Sequence, residues 1–135
     1  MGGPLRGAQV LVVDDERDIV DLIAYAIADA GATVRTATSA VDALKLLAGS
    51  GWTPDVLLLD IGMANMDGYD LLLAIRHHEG LKNVPAIAVT GFGYELDKKR
   101  AFEAGFAVHV TKPFVSEVLV DLVRWIAKTK PTSKC

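Results

Sequence analysis

Four apolar runs, each ending in a group that can carry charge or bond to an oxyanion, constrain this chain more than anything else in it. Val10-Leu11-Val12-Val13 runs into Asp14-Asp15, and Val56-Leu57-Leu58-Leu59 into Asp60. Ala86-Ile87-Ala88-Val89 runs into Thr90-Gly91, and Val108-His109-Val110-Thr111 into Lys112-Pro113. Short apolar runs bounded by polar residues read as strands buried on both faces, the situation of a parallel sheet covered by helices on each side. In open sheets of this kind, ligands meet the crevice beyond the carboxyl ends of the strands. The runs therefore predict three acids, a hydroxyl and a lysine converging on one spot.

Between the runs the apolar period changes from strand-like to helical. Ile19, Ile23, Ala26, Ile27 and Ala30 recur at helical spacing, with Gly31 as a stop. Ala32 to Ala37 is a more polar strand, suited to a sheet edge. Ser39 is the expected N-cap of a helix carrying Val41, Leu44, Leu47 and Ala48, ended by Gly49-Ser50-Gly51. Asp67 caps a helix bearing Leu71, Leu72 and Ile75. Pro85 stands at the mouth of the fourth apolar run, where a missing N–H is tolerable. A helix from about Tyr94 to Ala104 ends at Gly105, and a last one spans Ser116 to Lys128, with Val118, Leu119, Leu122, Val123 and Ile126 directed inward. Five βα units imply a parallel α/β sheet with five helices on its two faces.

At 135 residues and 51% hydrophobic content the chain suits one domain with its own core. That domain is expected over residues 7–128, with 1–6 and 129–135 as flexible ends. The lone cysteine, Cys135, cannot form an internal bridge. No run approaches the ~18–20 apolar residues needed to span a bilayer, and Met1 to Arg6 has no apolar stretch of a secretory leader, so a cytoplasmic location is expected. Net charge is -3 and the densest basic run is Lys98-Lys99-Arg100, which argues against direct nucleic-acid binding.

Asp14, Asp15 and Asp60 at neighbouring strand ends would repel one another without a counter-ion. Hard oxygen ligands without His or Cys select Mg²⁺ or a similar ion, which keeps waters and leaves room for a phosphate. Lys112 adds a point charge on the same oxygens, and a cis Lys112-Pro113 bond would turn it inward. Thr90 supplies a hydroxyl that can reach the same oxygen cluster, with a buried strand-end threonine bonded to backbone as the lesser reading. A carboxylate nucleophile, a divalent cation, a lysine and a hydroxyl together describe phosphoryl transfer to an aspartate.

From about Gly7 to Lys128 the chain resembles the receiver domains of two-component response regulators. The matching pieces are Val12-Val13-Asp14-Asp15-Glu16, Leu59-Asp60-Ile61-Gly62-Met63 with Met66-Asp67-Gly68-Tyr69, Thr90-Gly91, and Lys112-Pro113-Phe114. The resemblance implies a flavodoxin-like, doubly wound five-stranded sheet of order 2-1-3-4-5. It implies that Asp60 is the phospho-acceptor, that Asp15 binds Mg²⁺ directly and Asp14 through water, and that the Gly62 carbonyl is a further ligand. Thr90 and Lys112 would contact the phosphoryl group. The donor would be a phosphohistidine on a histidine kinase or phosphotransfer domain, and the domain would be a switch that transfers phosphate to itself rather than a conventional enzyme. The face built from the last two strands and the helices after them would carry the response. Trp125 falls off the inward stripe of the last helix; exposed there it would suit a partner or a homodimer through the last strand and helix, and packing of its edge into the core is the other reading.

Three positions depart from the family pattern or lie beside it. Ala64 occupies a place where such loops often carry proline. His109 stands where a switching Tyr or Phe is usual; it reads either as an exposed strand histidine or as a titratable reporter paired with Thr90. Phe92 could screen an acyl phosphate from water. Leu5-Arg6-Gly7 leading into the first strand, Thr90-Gly91-Phe92-Gly93, Ala104-Gly105-Phe106 and His109 resemble receivers at the C-terminal ends of hybrid histidine kinases, the favoured context. A stand-alone regulator and a non-phosphorylated interaction module are the alternatives. An aspartyl-phosphate phosphatase would place Asp-x-Asp after the first strand, and a flavin protein a Ser/Thr/Gly-rich loop there; neither is present.

Overall fold

The computed structural model describes residues 3–49, 51–91 and 95–129, the side chains of the last two aside. Phe92, Tyr94 and Cys135 lie outside the described residues. Five strands, β1 (Gln9–Val13), β2 (Thr33–Ala37), β3 (Val56–Asp60), β4 (Ala86–Thr90) and β5 (Val108–Thr111), alternate with α1 (Arg17–Asp29), α2 (Ala40–Gly49), α3 (Gly68–Arg76), α4 (Lys98–Ala104) and α5 (Ser116–Thr129). All strand pairs are parallel and the order is β2-β1-β3-β4-β5. The expected doubly wound sheet is the observed one.

Alternation along each strand divides the core in two. Leu11, Val13, Leu57 and Leu59 point to the side of α2 and α3, where Ala43, Leu47, Leu71, Leu72 and Ile75 meet them. Val10, Val12, Val56 and Leu58 point the other way, onto Ile23 and Ile27 of α1 and Leu119, Val123 and Ile126 of α5. β3 and β4 are buried throughout, as central parallel strands covered on both faces must be.

Several local expectations need correcting. Val41 and Val118 are exposed, and the buried stripes run instead through Ala40, Ala43 and Leu47 on α2 and through Leu119, Val123 and Ile126 on α5. Apolar residues on these helices surround more than one face, and packing selects only one of them. Helix α4 begins at Lys98, not near Tyr94, because Asp97 caps it by accepting a hydrogen bond from the Arg100 amide. The front segment is not uniformly loose: Leu5 is buried beneath α1, its amide donating to Ala30 O at 2.8 Å. Asp67 caps α3 as expected, accepting from the Asp70 amide, and Ser39 accepts from the Asp42 amide.

Candidate phosphoryl-acceptor site

The carboxyl ends of β1, β3 and β5 bring the predicted charges together. Asp14 follows β1 directly, Asp60 is the last residue of β3, and Lys112 follows β5. One carboxylate oxygen from each of Asp14, Asp15 and Asp60 lies within 4.8 Å of the others. Asp14 and Asp60 are 1% and 4% exposed, while Asp15 faces solvent at the mouth. The three carboxylates, without any nitrogen or sulfur donor, suit a hard divalent cation such as Mg²⁺.

Lys112 reaches across from β5. Its Nζ lies 2.8 Å from Asp14 Oδ2, 3.6 Å from Glu16 Oε1 and 3.8 Å from Asp60 Oδ1. The first contact is a close ion pair; Asp14 Oδ1 accepts from the Glu16 amide at 2.9 Å. The Lys112-Pro113 bond is cis. Burial works to lower the Lys112 pKa, but its bond to Asp14 and the charges of Asp60, Asp14 and Glu16 outweigh that and hold it above the ordinary value.

Asp60 goes the opposite way from a typical surface carboxylate. Burial first, and the Asp14 charge second, push its pKa up to about 6; Lys112 and the Gly62 amide, which donates to Asp60 Oδ1 at 3.2 Å, pull against them. Its backbone is fixed from two sides. The Ile61 amide donates to Val89 O, and the start of α3 rests on the Asp60 and Ile61 backbone. A Cβ on Gly68 would come within 2.5 Å of Asp60 O, so only glycine allows that approach.

Thr90 is 1% exposed at the end of β4, paired in register with Thr111. Its hydroxyl is spent on β5, at 3.4 Å from both Val110 O and Thr111 Oγ1. His109 is exposed and stands apart from the acids, lining a hollow of about 180 Å³ with Leu96, Phe102 and Phe106 beside α4. Two contributors were not assigned from sequence. Glu16 adds a further carboxylate near Lys112, a role the Asp14-Asp15-Glu16 run could have suggested. The Ala64 amide donates to Asp15 Oδ2 at 3.3 Å, a bond that a proline at this place could not make.

Together, the parallel sheet and the acid–lysine pocket at its carboxyl edge define a doubly wound α/β domain built around a cation-ready carboxylate cluster. A family model, the response regulator receiver domain, matches residues 10–124, and the chain belongs to that family. It is 37% identical over 120 residues to an uncharacterized 14.6 kDa protein in the sodA1 3' region of Leptolyngbya boryana, covering 89% of this chain and 90% of that protein. It is 34% identical over 115 residues to the sensor histidine kinase CheAY of Helicobacter pylori, covering 85% of this chain but only 14% of the kinase. The chain thus spans nearly all of one relative and a small part of another. Among solved structures, the chemotaxis response regulator CheY4 of Vibrio cholerae superposes with a TM-score of 0.80 at 28% identity, covering 88% of this chain and 98% of that one. Among the described residues no helix is long and apolar enough to cross a membrane.

Proposed function

We propose that this receiver domain accepts a phosphoryl group on Asp60 from a phosphohistidine of a histidine kinase or phosphotransfer domain. The observation that carries the reading is the meeting of three carboxylates within 4.8 Å, with Lys112 on their buried side. Asp15, Asp60 and the Gly62 carbonyl would hold Mg²⁺, with Asp14 acting through water. Bound there, Mg²⁺ would neutralise charge on the phosphoryl oxygens. An Asp60 oxygen forms the new P–O bond as the P–N bond breaks. The bonding pair leaves on an imidazole already protonated at its other nitrogen. Asp60 is buried away from most solvent, and the neighbouring Lys112 charge favours its ionised, attacking form. Lys112 gives a second positive charge on the same oxygens. The Thr90 bonds to β5 are long, so its hydroxyl exchanges them for a phosphoryl oxygen at little cost.

The response belongs to the face of β4, α4, β5 and α5, with Thr90 at its pocket end and His109 at its outer end. The similarity to CheAY favours a receiver joined to a kinase. The near-complete coverage of the Leptolyngbya protein favours a stand-alone regulator as the second reading. Either context goes with a cytoplasmic location. Incubation with acetyl phosphate and Mg²⁺ tests the central claim. Intact-mass analysis should show a gain of one phosphoryl group that is absent without Mg²⁺ and absent in Asp60→Asn. A gain that persists in Asp60→Asn would move the acceptor elsewhere.

A further inference from the structure

We propose that Arg100 and Tyr69 form a latch tying the start of α4 to the loop after Asp60, so that the position of α4 answers to that loop. The latch joins two helix N-termini. Asp67 caps α3 and Asp97 caps α4, and the Arg100 guanidinium reaches back from α4 to both Asp67 Oδ2, at 3.4 Å, and Asp70 Oδ1, at 3.3 Å. The same guanidinium lies 4.3 Å from the centre of the Tyr69 ring. Tyr69 is buried, and its hydroxyl oxygen accepts the Asp97 amide at 2.8 Å, satisfying a helix-end N–H that has no partner inside α4. Phe106 meets the ring edge-on from the other end of α4.

Each exposed ion pair alone is worth little. Their effect here comes from sharing one guanidinium with an aromatic face and from the buried hydroxyl beside it. The inner end of the latch is anchored at the acceptor. Tyr69 follows Gly68, which rests on the Asp60 and Ile61 backbone and donates its amide to Ile61 O at 3.0 Å. A shift of the Asp60 loop therefore has a short, packed route to Asp97, independent of Thr90 and His109. Arg100 and Tyr69 are positioning residues, since neither touches the acidic pocket.

The latch rests on the phospho-acceptor reading only for what moves the loop, so two measurements separate them. Without ligand, amide hydrogen exchange at Asp97 should speed about tenfold in Tyr69→Phe, which keeps the ring and loses the acceptor, and about threefold in Arg100→Gln. With Mg²⁺ and beryllofluoride, wild-type amide NMR signals should shift both at residues 62–67 and along α4. In the two variants the loop shifts should persist while the α4 shifts fall by at least half. Unchanged Asp97 exchange in Tyr69→Phe overturns the latch, as does a full α4 response in both variants. A wild type that responds nowhere to beryllofluoride counts against the acceptor reading, and the ligand-free exchange then decides the latch by itself. Should Tyr69→Phe fail to fold, the exposed Arg100→Gln decides the question alone: faster Asp97 exchange supports the latch and unchanged exchange overturns it.

Discussion

Asp60 is the residue at which stability and chemistry pull apart. Its pKa of about 6 in the folded chain lies above the ordinary 3.8, so the folded state holds this proton more tightly than the unfolded one. Folding is therefore unpenalised below about pH 4, becomes progressively costlier between 4 and 6, and bears the whole cost above 6. At 1.36 kcal/mol per unit this is on the order of 2–3 kcal/mol in the metal-free protein. Asp60→Asn should accordingly stabilise the metal-free domain by about 2 kcal/mol at pH 8 and leave it nearly unchanged at pH 4, as read by urea unfolding. A gain of equal size at both pH values would show that charge is not its source. This residue and its neighbours Asp14 and Lys112 were legible in the sequence, because an apolar run that ends in a charged group fixes where that group must emerge. The direction of the Thr90 hydroxyl was not legible. It depends on Val110 and Thr111 across the ladder, and neither follows from the sequence of β4.

At the scale of elements, the sheet was plain and the helix faces were only partly so. Strands β3 and β4 announce themselves by unbroken burial, and their order follows from the family resemblance. Helix α5 has apolar side chains at Val118, Leu119, Val120, Leu122 and Val123, a run that gives no single stripe until the sheet chooses one. The sheet chooses Leu119, wholly buried, over Val118, which is 52% exposed. Leu119→Ala should cost about 2–5 kcal/mol and Val118→Ala less than about 0.5 kcal/mol, measured by the same unfolding assay. Comparable losses would mean that α5 is rotated from the position described. Leu5 illustrates a different limit. One leucine beside Pro4 and Gly7 has no periodicity to read, yet it fills the space under the end of α1. The late start of α4 depends on Asp97 acting as a cap, a local bond that competes with several plausible starts upstream.

For the whole molecule, the sorting of apolar residues to two sides of one sheet leaves the carboxyl ends of its strands free to gather charge. Four carboxylates, from Asp14, Asp15, Glu16 and Asp60, surround one ammonium there. A field of that sign speeds the arrival of cations and slows that of anions, and salt weakens both effects within a Debye length of about 8 Å at physiological ionic strength. A phosphoryl donor is itself an anion. The pocket should therefore impose an order of arrival: the divalent ion first, and the donor only after the field has been reversed. Stopped-flow measurement with acetyl phosphate should give faster phosphorylation after preincubation with Mg²⁺ than on simultaneous mixing, once Mg²⁺ binding is made slow by low metal concentration. Added salt should slow the metal step and, in metal-poor conditions, ease the donor's approach. Equal rates in either order of mixing would remove the ordering. The ion pair that holds Lys112 against Asp14 then has a kinetic meaning: by engaging that positive charge inside, it leaves the entrance negative and makes the pocket a gate that opens to metal before it opens to phosphate.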